Sequence, residues 1–404
     1  WAGKGNDRVL VSSVDIASTT VSKLYLNEGH DAVTIVVDDD LNSPAHLDLS
    51  DPSARRLVVM GQSGNDTLDA ANAKLAIRAF GQAGFDAIIG GQGIDLLYGG
   101  SDRDVLMGGA ANDELYGEDL TGSTSSNDVL IGDHGYARFD DQGILRQVHT
   151  GDSKLITNGQ GAHIITGFIL REISTSGLGL DGDDLLFADF GSDIVFGGGG
   201  EDTIDTTGDG GFDIVLGDHG EATFDAVGDL ELIESILTSV GGDDSIHLGP
   251  GDNVVFGGFG TDEIETPAGS EGLSIILGDS GKAALNAPGQ PALVETKASG
   301  IGGVDQITAG NGNSIILGGA KSDVIAVGTG HNVVMGDEGR VTLTDGVLTM
   351  VQSSSTLGGD DQINAGSGSN RIIGGPGKDS ISLGDGENAA IGENGKATWL
   401  PSGI

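Results

Sequence analysis

Aspartate returns every ninth residue through long stretches of this 404-residue chain. From Gly81 the sequence runs GQAGFDAII, GGQGIDLLY, GGSDRDVLM and GGAANDELY, so Asp86, Asp95, Asp104 and Asp113 share one phase, each followed two residues later by Ile88, Leu97, Leu106 or Leu115. From Gly179 the same slot holds Asp184, Asp193, Asp202 and Asp213, and later Asp244, Asp262, Asp305, Asp323, Asp361 and Asp379; Asp66 and Asp128 complete the candidate set. An isolated Gly-x-Asp is most simply a solvated turn, but a phased row of carboxylates suits coordination of a hard cation by oxygen. Cysteine is absent and there are only eight histidines, so the donor set is oxygen with no thiolate and little imidazole, which favours calcium.

The spacing also fixes the elements that must carry these acids. Glycines permit a tight turn with positive φ and inward carbonyls, and the short stretch after the aspartate reads as a strand with one apolar residue aimed at a core. Each ninth is then one turn plus one strand, two ninths complete a rung, and the turns alternate between two edges of a flattened roll. Aspartates two ninths apart stack at the strand spacing of about 4.8 Å. Two carboxylates at that distance repel by roughly 1 kcal/mol in water and about 3.5 kcal/mol at an effective dielectric of 20, so the stack needs a cation between its turns. Folding and metal binding become one reaction.

The G-G-x-G-x-D-x-U-x pattern, with U a large apolar residue, resembles the RTX (repeats-in-toxin) family of calcium-binding nonapeptide-repeat proteins, of the large adhesin or surface-fibre kind. The resemblance covers most of the chain from Gly61 onward. It implies an all-β fold, a parallel β-roll or β-solenoid of nonapeptide half-turns with inserted β-hairpin excursions, binding several Ca2+ ions at the aspartates named above.

A longer period sits on the first. The tetrad G-[DE]-x-G occurs at Gly132, Gly217, Gly278, Gly336 and Gly392, and each is followed by an excursion such as EATFDAVGDLELIES that reads as a hairpin or a pair of long rungs. Within the later units the slots run Asp244, Asn253, Asp262, Ser274; then Asp305, Ser314, Asp323, Asn332; then Asp361, Asn370, Asp379, Asn388. Because alternate slots fall on opposite edges, one edge keeps its carboxylates while the other becomes an Asn/Ser ladder able to hydrogen-bond along the axis without metal.

Four regions follow: residues 1–60 as irregular β-solenoid leading in, 61–135 as β-roll, 136–178 as a β-rich insertion that is either a decorated loop or a contact surface, and 179–404 as units of about 60 residues. The run Asp38 to Asp40 lies out of phase and reads as a solvated turn. No long helix is expected, and no stretch of 18 apolar residues exists, so a helical membrane span is not expected. With 61 acids against 19 bases, a net charge of −42 repels nucleic acid and anionic membrane. Aromatic residues at 4% leave room only for a thin, regular core.

Motifs that look catalytic fail on context. GDSG at Gly278 belongs to the tetrad series, GLGLDG at Gly177 precedes no helix, and no H-E-x-x-H or Walker sequence occurs. The sequence is read as no enzyme. The expected role is an extracellular or cell-surface calcium-stiffened rod from an adhesin, surface layer or matrix fibre, exported by a signal-peptide-independent (type I) route. The alternative is the calcium-dependent secretion and folding domain of a type I-secreted hydrolase or toxin; ice binding lacks regular outward Thr rows. The opening GKGNDRVLV and closing GENGKATWLPSGI read as uncapped, an expectation of a longer array or of end-to-end self-association.

Overall fold

The computed structural model describes residues 8–16, 19–26, 36–39, 55–73, 76–118, 126–140, 142–150, 172–174, 182–208, 210–286, 289–354 and 356–399. Strands from successive ninths alternate between two parallel sheets. Among the described residues, an outer sheet of 13 strands takes one strand of each rung, such as Leu185–Phe187, Thr203–Asp205, Ser245–His247 and Glu263–Glu265. A central sheet, of 14 strands among the described residues, takes the other, including Ile194–Gly198, Asp213–Asp218, Asn253–Gly258 and Ser274–Asp279. Two ninths therefore make one rung, and the all-β parallel roll expected from the repeat is the fold. At about 4.8 Å per strand the roll extends roughly 60 Å. Register is kept strictly enough that Phe80, Tyr98, Tyr116 and Phe187 stack in one column, with successive ring centroids 5.0, 4.7 and 4.9 Å apart.

The excursions do more than decorate the roll. Each is a hairpin, for example Gly220–Phe224 with Leu230–Ser235 and Gly281–Asn286 with Gln290–Thr296. Neighbouring hairpins pair with each other, placing Gln147 opposite Thr223, Leu232 opposite Ala284, Leu293 opposite Thr342 and Met350 opposite Thr398. The result is a continuous antiparallel sheet, of 10 strands among the described residues, along one face of the roll.

That third sheet changes what the central strands need. A single inward apolar residue suffices in the outer sheet, where Ile204, Ile246 and Ile264 point to the core between polar neighbours. The central sheet is covered on both faces: Val195, Val215, Val255 and Ile276 meet the outer sheet, while Ile194, Phe196, Leu216 and Phe256 meet Ala222, Phe224, Leu230 and Ile233 of the hairpins. Its strands accordingly read as apolar triplets, IVF, IVL, VVF and IIL, as sheets buried on both faces do.

Near the start of the chain, Arg8–Ile16 pairs antiparallel with Thr19–Leu26 and parallel with Thr67–Asn72. Asp38 and Asp39, expected in a solvated turn, instead end the strand Val36–Asp39, in register with Arg56 and Arg55 of an antiparallel neighbour. The β-branched pair Val36–Val37 favours extended backbone and carries the acids with it. Asp40 lies outside the described residues. In the 136–178 segment, Gly135–Phe139, Leu145–Thr150 and Glu172–Ser174 join the hairpin sheet, and residues 151–171 and 175–178 lie outside the described residues.

The glycine pair that closes a central strand is tightly enclosed at its first member. A Cβ on Gly257 would stand 2.3 Å from Asp262 Oδ2 and 2.3 Å from the Gly278 carbonyl oxygen, whereas one on Gly269 would meet nothing within 4 Å. Gly257→Ala is expected to destabilise the calcium-loaded protein by roughly 1–3 kcal/mol through overpacking, and Gly269→Ala to leave it within about 0.5 kcal/mol. Denaturant titration of the two variants checks the contrast.

Candidate metal centre

The slot aspartates sort cleanly onto the two edges. Asp95, Asp113, Asp184, Asp202, Asp244, Asp262, Asp305, Asp323, Asp361 and Asp379 each precede an outer-sheet strand and form one unbroken row. Within it, the backbone N–H of each slot donates to Oδ1 of the next: Asp184 to Asp202 at 2.8 Å, Asp202 to Asp244 at 2.9 Å, Asp244 to Asp262 at 2.9 Å, Asp262 to Asp305 at 2.9 Å and Asp305 to Asp323 at 2.9 Å. The other edge begins the same way, Asp66 N–H to Asp86 at 2.7 Å and Asp86 to Asp104 at 2.8 Å, and continues through Asp128 and Asp193 to Asp213. There the acids stop and Asn253, Ser274, Ser314, Asn332, Asn370 and Asn388 take the slot.

One carboxylate oxygen is used by this backbone bond; the second is left over. Oδ2 of Asp86, Asp104, Asp113, Asp202, Asp244, Asp262, Asp305, Asp323, Asp361 and Asp379 is buried without a hydrogen-bond partner. Beside it stands a glycine carbonyl of the adjacent rung. The point where a Cβ on Gly197 would sit is 2.2 Å from both Asp202 Oδ2 and the Gly217 oxygen, and the same convergence recurs at Gly217, Gly278, Gly318 and Gly336. Asp95 and Asp128 differ, because their Oδ2 atoms accept from Gly91 N–H at 2.6 Å and Ser126 hydroxyl at 3.4 Å.

Burial dominates the electrostatics. Desolvation, reinforced by neighbouring carboxylates, pushes Asp104, Asp113 and Asp323 up to about 10. Desolvation lifts Asp305 and Asp361 to about 7 against the backbone bonds that lower them, and raises Asp202, Asp244 and Asp262 well above the carboxylate range. A buried anion with an unused oxygen facing carbonyls fits a hard, oxygen-seeking divalent cation, which both supplies the missing partner and neutralises the row. Among the described residues no three carboxylate or imidazole side chains converge as one cluster. An ion on this edge would therefore take the rest of its oxygens from the backbone.

The four asparagine slots answer with an amide, whereas Ser274 and Ser314 carry a hydroxyl, and Oδ1 of Asn253 and of Asn332 stays buried without a hydrogen-bond partner. Nδ2 of Asn332, Asn370 and Asn388 donates to the carbonyl four residues back, Gly328 at 3.3 Å, Gly366 at 2.9 Å and Gly384 at 2.8 Å. Asn332 Nδ2 also donates to Asn370 Oδ1 at 2.8 Å, and Asn370 Nδ2 to Asn388 Oδ1 at 2.9 Å, which is the axial ladder expected from the sequence. Asn253 departs from it: its Nδ2 bonds Gly249 and Gly251 carbonyls of its own turn, at 3.1 and 3.0 Å. Its upstream neighbour in register, Asp213, donates its N–H to the Asp252 carbonyl, so the row changes its bonding where the acid gives way to the amide.

Sequence reasoning missed a second set of buried acids. The tetrad residues Asp133, Asp218, Asp279 and Asp337 are all buried. They occupy the place of the nonapeptide's second glycine, Asp218 in register with Gly198 and Asp279 with Gly258. Each receives the chain returning from its hairpin: Asp218 Oδ1 accepts from Gly242 N–H at 3.1 Å, Asp279 from Gly303 at 3.0 Å and Asp337 from Gly359 at 2.8 Å. The carbonyls of His219, Ser280 and Glu338 accept from the return strands as well, so the GDSG of the sequence forms the base of a hairpin. The recurring signal was an acid where the repeat otherwise has glycine.

Raised carboxyl pKa values set the sign of a pH effect on the metal-free fold. From about pH 4, where unfolded carboxyls ionise, up through about 7 and 10, the folded chain holds protons that the unfolded chain has released, so stability falls as pH rises. In chelator, the chain is expected to hold more β-structure near pH 4.5 than at pH 8. Circular dichroism at the two pH values checks this.

A parallel roll whose turns present buried carboxylates and carbonyls to one another defines a cation-binding nonapeptide solenoid. The family model described as RTX calcium-binding nonapeptide repeat (4 copies) matches residues 80–119, 178–215, 237–264, 299–334, 308–343 and 355–389. Those stretches are RTX repeats, of the calcium-binding kind. No curated protein matches it.

Proposed function

We propose that the chain is a calcium-stiffened structural rod, working outside the cell as a segment of an adhesin, surface layer or matrix fibre, with no catalytic role. The observation that carries this reading is the unbroken row of slot aspartates along the outer-sheet edge, most of them with an unused buried oxygen. Calcium ions between successive turns, several per chain and held by the slot aspartates and glycine carbonyls, convert a repelling stack into a rigid one. The hairpin sheet supports the same reading, since it braces the central sheet along its length and makes the roll three layers thick. A module that serves only to fold on export needs the nonapeptides but not that bracing layer. Self-association or continuation in a longer array would extend the rod, and export without a signal peptide suits a chain that folds only on meeting calcium.

Small-angle scattering and sedimentation with calcium test the rod, and the full reading frame tests its context. An elongated particle and many further units are expected. A catalytic domain upstream, or a particle no longer than it is wide, would favour the secretion and folding role of a hydrolase or toxin.

A further inference from the structure

The tetrad aspartates are not all alike. In the first three, the second carboxylate oxygen is occupied: Asp133 Oδ2 accepts from Gly199 N–H at 2.6 Å, Asp218 Oδ2 from Phe259 N–H and Asp279 Oδ2 from Ala320 N–H. The donor is always the residue after the glycine pair of the next rung, Gly198, Gly258 or Gly319 being the second of that pair. In the fourth unit the pair is Gly374–Gly375 and the next residue is Pro376, which has no N–H to give. Asp337 Oδ2 is accordingly buried and without a partner, in a residue 1% exposed.

That oxygen lies beside another of the same kind. A Cβ on Gly375 would stand 2.3 Å from Asp337 Oδ2, and one on Gly336, the residue before Asp337, would stand 2.1 Å from Asp361 Oδ2 and 2.6 Å from the Gly374 carbonyl oxygen. One unpartnered carboxylate oxygen thus stands beside Gly375, and a second stands with the Gly374 carbonyl oxygen beside Gly336. Building on the calcium-binding reading above, we infer that Asp337 supplies a second carboxylate to the cation position of Asp361 and the Gly374 carbonyl, one that the matching positions at Asp184, Asp244 and Asp305 lack, and that Pro376 frees it by withholding a backbone donor. The donors are hard oxygens on irregular backbone, which suits calcium better than magnesium. The site gains a second carboxylate where the sister units have one carboxylate and a satisfied staple.

Equilibrium binding of calcium to the full chain tests this through Pro376→Ala, which returns an N–H to Asp337 while leaving every carboxylate in place. At least tenfold weaker binding of one ion than in the unsubstituted chain is expected, with circular dichroism unchanged. Asp337→Asn should weaken the same ion, and Asp218→Asn, whose native oxygens are already engaged, should weaken none. An unaltered count and affinity in Pro376→Ala would overturn the site while leaving the rest of the calcium edge intact, as would an equal loss in Asp218→Asn. A native chain that binds no calcium would remove both.

Discussion

Removing calcium from this protein at neutral pH is expected to abolish most of its β-structure. Leaving a buried acceptor unmatched costs about 1–3 kcal/mol, more when it is charged, and ten slot aspartates carry such an oxygen. Their sum, about 10–30 kcal/mol and more when ionised, matches or exceeds the roughly 5–15 kcal/mol by which folded domains are stable, so the fold cannot hold them all ionised without a counter-ion. Protonation offers a partial escape for the most strongly raised groups, which is why the metal-free fold should survive better in acid. Far-ultraviolet circular dichroism in excess chelator should show a largely unfolded chain, with a cooperative return of β-signal on adding millimolar calcium. Magnesium should substitute poorly, since it demands near-octahedral geometry and dehydrates reluctantly.

The second large effect is an asymmetry between the edges. Asp262→Asn and Asp323→Asn replace a buried carboxylate whose Oδ2 has no protein partner, and each should lower both the number of bound calcium ions and the stability of the loaded protein. Asn332→Ala removes an amide that bonds the Gly328 carbonyl and Asn370. It should leave the calcium count unchanged and cost on the order of 1 kcal/mol per lost hydrogen bond. Calorimetric titration of the three variants measures count and affinity together. Equal losses of calcium in all three would mean that the Asn edge binds metal too.

Much of this was legible because the repeat is strict. A nine-residue phase with one acid and one apolar position dictates a turn and a strand, and two of these per rung place alternate slots on opposite edges. The loss of aspartate at Asn253, Ser274, Ser314, Asn332, Asn370 and Asn388 thus maps to a single edge from the spacing alone. The third sheet was less visible, since an excursion such as EATFDAVGDLELIES looks the same whether its hairpin stands free or pairs with its neighbours. The trace it leaves lies elsewhere, in the contrast between IVF at Ile194 and TID at Thr203: only a strand covered on both faces needs three apolar residues in succession. The tetrad acids escaped for a related reason. Asp218 and Asp279 look like turn residues in a local pattern, and their burial depends on backbone N–H groups brought over them from residues some 24 and 41 positions away. Asn253 shows the limit of ladder reasoning, because a side-chain amide chooses between axial and local acceptors by where the backbone of its own turn places them.

The most direct measurement is an experimental electron-density map of the calcium-loaded chain, with anomalous scattering used to place the ions. Ions are predicted in a row along the outer-sheet edge, against the Oδ2 atoms of Asp202, Asp244, Asp262, Asp305 and Asp323 and the facing glycine carbonyls, with none in the Asn332, Asn370 and Asn388 turns. Ions on the Asn edge, or an outer-sheet edge whose carboxylates face only water and protein, would contradict the account.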